Sequence, residues 1–193
     1  MAGHLRFTAV LDACVLYPIS VADALLSLAT ADLFAAKWSR QIEEEWMRNV
    51  VAKRPELIGK LDYRRDAMRQ AVPDWEVDPA ACRSIESSLV LPDRNDLHVL
   101  AAAIGGHADC IVTYNLKDFP DRNLAQYGVC AIHPDDFIIA QFDLDEISAL
   151  RAMKRMRSRA ARPPIAIDEF LAAFRRNHLL QVAERLAVAA DLI

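Results

Sequence analysis

No stretch of this 193-residue chain reaches the ~18 uncharged apolar residues that a membrane span needs, so a membrane protein is not expected. The leading MAGHLRFTAVLDACV has a charge beside its apolar run but no small-residue cleavage site, and reads as a first strand, not a signal peptide. There is no GxxxxGK[ST] and no GxGxxG, which leaves nucleoside triphosphates and dinucleotides without support. GxSxG and HExxH are missing too, so serine and zinc hydrolase chemistry falls behind. The four cysteines, Cys14, Cys82, Cys110 and Cys130, form no CxxC and have no neighbouring Cys/His pair. They read as small buried hydrophobes of a reducing cytoplasm, not as zinc ligands or a disulfide framework.

What is present is a globular composition, 53% hydrophobic and 26% charged, with enough chain to bury a core. The charge is unevenly placed. Residues 148–193 hold nine Lys/Arg against four acids, +5, which leaves 14 Lys/Arg against 23 Asp/Glu, −9, for the remainder. An acidic body, residues 1–143, therefore precedes a basic helical C-terminal extension, residues 144–193.

Short β-branched or apolar runs at Arg6–Leu11, Asp32–Trp38, Cys110–Thr113 and Val129–Ile132 read as strands. Helical spacing is seen over Ser20–Thr30, from Ser39 as N-cap to Arg54, over Pro55–Ala71 and Pro79–Leu89, and from Pro92 and Asp93 to the Gly105–Gly106 stop. Pro134–Phe142, Ile147–Arg162, Asp168–Asn177 and Leu179–Ala190 are expected as further helices, with Pro163 and Pro164 as an interruption. Strands alternating with helices predict an α/β fold, a three-layer α/β/α sandwich on a mainly parallel sheet, with its ligand edge at the strand carboxyl ends. Asp12 and the Asn115/Asp118 cluster both follow strand ends and fall on that edge.

The acids are the chemistry-bearing residues. Along Glu43, Glu44 and Glu45, a turn of 100° per residue puts Glu43 and Glu45 on the flanks of the Ile42/Trp46/Val50 stripe and Glu44 in solvent. Asp93 and Asp96 share the head of an alanine-rich helix. Capping and the macrodipole account for one such acid, not two. His98 reads as a packed or hydrogen-bonded histidine in preference to a ligand. Carboxylates gathered with little His or Cys suit a hard cation, Mg²⁺ or Mn²⁺. Such an ion relieves their mutual repulsion and can activate water against a phosphodiester.

Four segments in this order, VLDACVLYP, WSRQIEEEW, DRNDLHVLAAAI and ADCIVTYNLKDFP, resemble the PIN-domain family, the ribonuclease fold of VapC-type bacterial toxins, over about residues 6–140. Asp12 is similar to the family's first acid, Glu45 to its second and Asp96 to its third. Where many members have Asp two residues after VT, this chain has Asn115, with Asp118 three residues on. One subgroup of the family tolerates that Asn. An amide can ligate through its carbonyl but brings no charge, which Asp118 or Asp93 could supply. The resemblance thus implies Asp12, Glu45, Asp96 and Asp118 as metal ligands, with Asn115 beside them and Asp93, Thr113 and Asn49 in support; Thr113 could equally be structural.

It further implies Mg²⁺- or Mn²⁺-dependent RNA cleavage by in-line attack of metal-bound water, leaving 5′-phosphate and 3′-hydroxyl ends. A homodimer and a small antitoxin protein are implied as partners. The extension resembles that of one subgroup. Its Arg151, Lys154, Arg155, Arg157, Arg159 and Arg162 form a block of cations suited to RNA phosphates, or equally a basic helix packed back on an acidic body. The alternative function is a catalytically weak PIN domain acting as an RNA- or protein-binding module. A flap-type DNA nuclease ranks third, since nothing resembles the helical arch it needs.

Overall fold

The computed structural model describes residues 6–159 and 165–193. Four short strands, β1 (Thr8–Leu11), β2 (Ala35–Lys37), β3 (Cys110–Val112) and β4 (Cys130–Ile132), form one sheet of order β2-β1-β3-β4, parallel throughout. β1 and β3 are buried on both faces, which is why they read as continuous apolar runs without alternation. The chain moves outward from β1 to β2 on one side and to β3 on the other. The strand order therefore reverses between β1 and β3, where an open parallel sheet leaves a crevice at its carboxyl edge. In the register that pairs Leu11 with Val112, the next residues on each strand are Asp12 and Thr113.

The helices are α1 (Ala13–Leu16), α2 (Ile19–Ala29), α3 (Arg40–Lys53), α4 (Asp62–Ala71), α5 (Pro79–Glu86), α6 (Leu97–Gly105), α7 (Asp121–Leu124), α8 (Pro134–Leu144), α9 (Glu146–Arg159), α10 (Ile167–Arg176) and α11 (Leu180–Val188). One layer joins α3, α5 and α6; the other joins α2, α8 and α9. With the sheet between them, this is the expected α/β fold in three layers. Alanines at 101, 102 and 103, all fully buried, let α6 lie close against β1 and β3.

Several boundaries differ from the sequence reading. The expected helix over Pro55–Ala71 is broken: a 3₁₀ turn at Pro55–Leu57 is followed by Gly59 at φ +70°, and α4 begins only at Asp62. Gly59 takes a left-handed conformation that L side chains resist, so the helix cannot run through it. The helix expected from Pro92 also starts later, after a 3₁₀ turn at Arg94–Asp96. The second strand keeps only three of the seven residues expected, and α1 and α7, one turn each, are too short to show a period.

The boundary at 143/144 falls within the last turn of α8, and Asp145 alone separates α8 from α9. α9 turns Ala149, Ala152, Met153 and Met156 inward, and it packs on α2. α11 is held at its start by buried Asp135, which accepts the Gln181 and Val182 N–H groups at 2.9 and 3.0 Å. Arg162, Pro163 and Pro164 lie outside the described residues.

Candidate active site

Asp12 closes β1 and is the N-cap of α1, yet its side chain does not cap. The backbone carbonyl accepts Val15 and Leu16 N–H, and the carboxylate is left for other partners. Those partners are the Thr113 hydroxyl, 2.7 Å from Oδ2, and the Cys14 thiol, 3.0 Å from the same oxygen. Cys14 Sγ in turn accepts the Tyr114 N–H at 3.3 Å. Asp12 is 3% exposed. Burial pushes its pKa above the usual carboxylate range, the Thr113 and Cys14 bonds pull it back, and the charge of Glu45 adds to the rise. Thr113 was named in the sequence reading; Cys14 was not, though its place two residues after Asp12 at the opening of a helical turn is the signal that could have found it.

The adjacent glutamates on α3 part company. Glu43 is buried and bound through both oxygens to Arg69, at 3.0 and 2.5 Å, and Arg69 lies over the Trp75 ring. Glu44 is in solvent, as expected. Glu45 Oε2 is 3.1 Å from His98 Nε2, while His98 Nδ1 is 2.7 Å from the Asn95 carbonyl. Burial disfavours a charged imidazole here, but Glu45, Asn95 and Asp12 outweigh it and hold the His98 pKa above its ordinary value. His98 thus links α6 to α3 and orients Glu45 from behind.

Asp93 and Asp96 divide the two roles. Asp93 Oδ1 caps the 3₁₀ turn through the Asn95 N–H at 2.9 Å. Asp96 precedes α6 without capping it, so its carboxylate remains available. Its pKa is pushed up to about 6, first by burial, then by the charges of Asp12, Asp93, Asp118 and Glu45. Asp96 therefore feels the charges of Asp12, Asp93, Asp118 and Glu45.

Asp118 is half-buried and close enough to bear on Asp96. Asn115 is exposed, with its backbone N–H on Thr113 Oγ1 at 3.0 Å. Asn49, also exposed, lies one turn beyond Glu45 on the same face of α3. Among the described residues, no Lys or Arg pairs with Asp12, Glu45, Asp96 or Asp118.

No three His, Cys, Asp or Glu side chains among the described residues close into a finished metal cage. The donor chemistry nevertheless fits a hard divalent cation: oxygen donors only, four potential negative charges, His98 beside Glu45 as their one basic neighbour among the described residues, and one carboxyl pushed up by burial and by the charges of the others. Without an ion, mutual repulsion opposes closing such a set.

This has a pH consequence. In the unfolded chain Asp96 titrates near 3.8 and in the folded chain near 6, so between those values the folded state holds more protons. Metal-free stability contributed by this group then falls as pH rises through that window and levels off above about 6. We expect the melting temperature of Asp96→Asn to gain on that of the parent between pH 4 and 6 in EDTA, then hold its lead. Mn²⁺ should raise the parent alone. A constant difference across the range would show that Asp96 is not so perturbed.

The basic block is spread over different tasks. Lys154 donates to the Leu192 carbonyl at 3.0 Å, and Arg157 to the Ile165 and Ile193 carbonyls at 3.0 and 2.6 Å. Arg159 pairs with Asp23 and Ser27 on α2. Arg151 and Arg155 are exposed.

Comparison with known proteins adds two family models. One, described as PIN domain, matches residues 8–117, and one described as VapC50 C-terminal domain matches residues 134–188. A protein of Mycobacterium tuberculosis (strain ATCC 25618 / H37Rv) named "Putative ribonuclease VapC50" is 44% identical over 78 residues, 40% of this chain and 46% of that protein. The match thus spans less than half the length of that relative. No solved structure gives a significant match.

Proposed function

The chain belongs to the PIN-domain family, and from that premise we propose that it is a metal-dependent endoribonuclease, the toxin of a toxin-antitoxin pair. The observation that carries the proposal is the acid cluster at the β1/β3 crevice, paired with no Lys or Arg among the described residues, with Asp96 pushed up to about 6 by burial and by the charges of its neighbours. Asp12, Glu45, Asp96 and Asp118 would hold Mg²⁺ or Mn²⁺. When bound, the cation neutralises these carboxylates, makes water acidic enough to serve as a nucleophile and offsets charge on the phosphodiester.

The protein's own part is positioning. Thr113 and Cys14 both donate to Asp12 Oδ2, which fixes the carboxylate plane and leaves Oδ1 without a side-chain donor. Buried His98 faces Glu45, its Nε2 3.1 Å from Glu45 Oε2. Asp118 supplies the charge that Asn115 lacks, and the Asn115 amide can still orient water or substrate. Asp93 stays with its cap and acts on the site through its charge. Hydrolysis in this arrangement leaves 5′-phosphate and 3′-hydroxyl ends. A homodimer and a small antitoxin protein that covers the acidic cleft belong to the same proposal. Among the described residues no helix is long and apolar enough to cross a membrane.

The test is cleavage of total RNA and of a single-stranded oligonucleotide by purified protein. Cleavage should need Mn²⁺ or Mg²⁺ and stop in EDTA. Asn115 is the observation that favours a second reading, a catalytically weak domain that binds RNA or protein. No cleavage at any Mn²⁺ concentration, or only cleavage that survives EDTA and Asp12→Asn alike and so does not come from this site, would decide for that reading.

A further inference from the structure

Three segments of chain connect the carboxylate site to one cleft. From Asp12, α1 delivers the chain to Tyr17, on the cleft wall. From Glu45, one face of α3 carries Asn49 and then Lys53, about 12 Å along the axis, and Lys53 Nζ lies 4.9 Å from the centre of the Tyr17 ring. From Asn115, the preceding Tyr114 reaches into the C-terminal extension, where its hydroxyl donates to the Asn177 carbonyl at 2.7 Å. Asn177 is tied back in turn to the Ser20 hydroxyl of α2 at 3.0 Å. The cleft, about 740 Å³, lies between the body and α10.

Its charge is opposite to that of the body. Four arginines, Arg54, Arg64, Arg159 and Arg176, line it against Asp23 and Glu169. Arg64 donates to the Leu16 and Tyr17 carbonyls and stacks on Trp46, so its charge has no bonded acid, while Arg159 is spent on Asp23 and Arg54 on Glu56. Arg176 has no ion-pair partner among the described residues and is exposed at the end of α10, as Lys53 is at the end of α3. Between them the wall is apolar, with Leu57, Leu61, Phe170 and Ile165 beside Tyr17. Cations at the rim with an aromatic and apolar wall suit a single nucleic-acid strand, whose phosphates seek the first and whose unpaired bases seek the second.

We propose that single-stranded RNA reaches the carboxylates along this cleft, with phosphates on Lys53 and Arg176, so that the C-terminal extension is one wall of the substrate site. The proposal rests on the ribonuclease reading above and specifies its substrate path. Of the cationic block on α9, only Arg159 lines the cleft among the described residues.

The experiment measures binding apart from cleavage. A fluorescein-labelled 12-nucleotide uridine RNA is titrated by anisotropy, over a salt series, with Asp12→Asn protein and with the same protein carrying Lys53→Ala and Arg176→Ala. The pair should weaken binding at least tenfold and lower the salt slope by about 1.4, two contacts at about 0.7 each for a single strand. Arg83→Ala on the exposed face of α5 should change neither. In the cleaving protein the pair should raise KM by a similar factor and leave kcat within about twofold, with the melting temperature unmoved.

Unchanged affinity and salt slope would overturn the proposal even if cleavage is metal-dependent. RNA binding that depends on the pair, in a parent that never cleaves, would uphold the cleft and remove the nuclease. Unchanged RNA binding with loss of a co-purifying acidic protein would overturn it in favour of a protein occupant.

Discussion

Asp12→Asn is expected to abolish the proposed metal-dependent RNA cleavage while the protein stays folded. The expected loss is about a thousandfold or more in kcat/KM, since removing several kcal/mol of charge-dependent stabilisation costs a decade for each ~1.4 kcal/mol. The fold is expected to survive because the Asn carbonyl can still accept the Thr113 hydroxyl and the Cys14 thiol, and because burial already disfavours the charge that the substitution removes. Circular dichroism should show a melting temperature no lower than that of the parent in EDTA. Stabilisation by Mn²⁺ should be lost along with cleavage. Full metal-dependent activity in this variant would rule out the β1/β3 crevice as the reaction site.

Glu43→Gln and Glu45→Gln should fail in opposite ways, although the two residues are neighbours on one helix. Glu43 is 4% exposed and held by two of the guanidinium nitrogens of Arg69, Nε and Nη2. Breaking such a pair from one side leaves a charge without its counterpart. With Arg69 about one-third exposed, the expected cost is about 2–3 kcal/mol, somewhat below the range for a fully buried pair. For a chain of this size, that is a fall of roughly 5–10 °C in melting temperature. Glu45→Gln removes a partly exposed carboxylate, so the melting point should move by no more than about 2 °C, whereas cleavage should drop by about two decades. Thermal melts and single-turnover cleavage of the two variants, side by side, separate the roles. A stable Glu43→Gln protein without activity, beside an active Glu45→Gln, would reverse the assignment.

Much of the fold is written locally. β1 and β3 are apolar runs ended by polar residues, and Ser39 announces α3 by accepting the Ile42 N–H at 3.2 Å, as its place before a helical stripe suggests. Where the reading went astray, the controlling feature was a single backbone dihedral or a stretch too short to show a period. Gly59 at φ +70° breaks what composition presents as a continuous helix, and one-turn α1 and α7 have no periodicity to detect. The candidate site was legible to a similar degree. Acids at strand ends and helix heads mark themselves, but their partners come from remote sequence: Thr113 lies 101 residues from Asp12, and Asn177 lies 63 from Tyr114.

The sequence by itself determined the alternation of strands and helices and which acids stand at strand ends and helix heads, because each depends on local periodicity and on where a run ends. It also separated Asp93 from Asp96 in outline, since one capping acid at the head of a helix leaves the other in surplus. Only the tertiary structure decided that Glu43 belongs to Arg69 and Glu45 to His98. A turn of 100° per residue puts both on the flanks of one stripe, and the neighbouring helices choose between the flanks. It likewise decided that Cys14 joins Thr113 on one oxygen of Asp12, and that residues of the C-terminal extension line a cleft together with α2 and α3. An amphipathic pattern specifies that a face is buried, but what buries it is a long-range contact that no local period encodes.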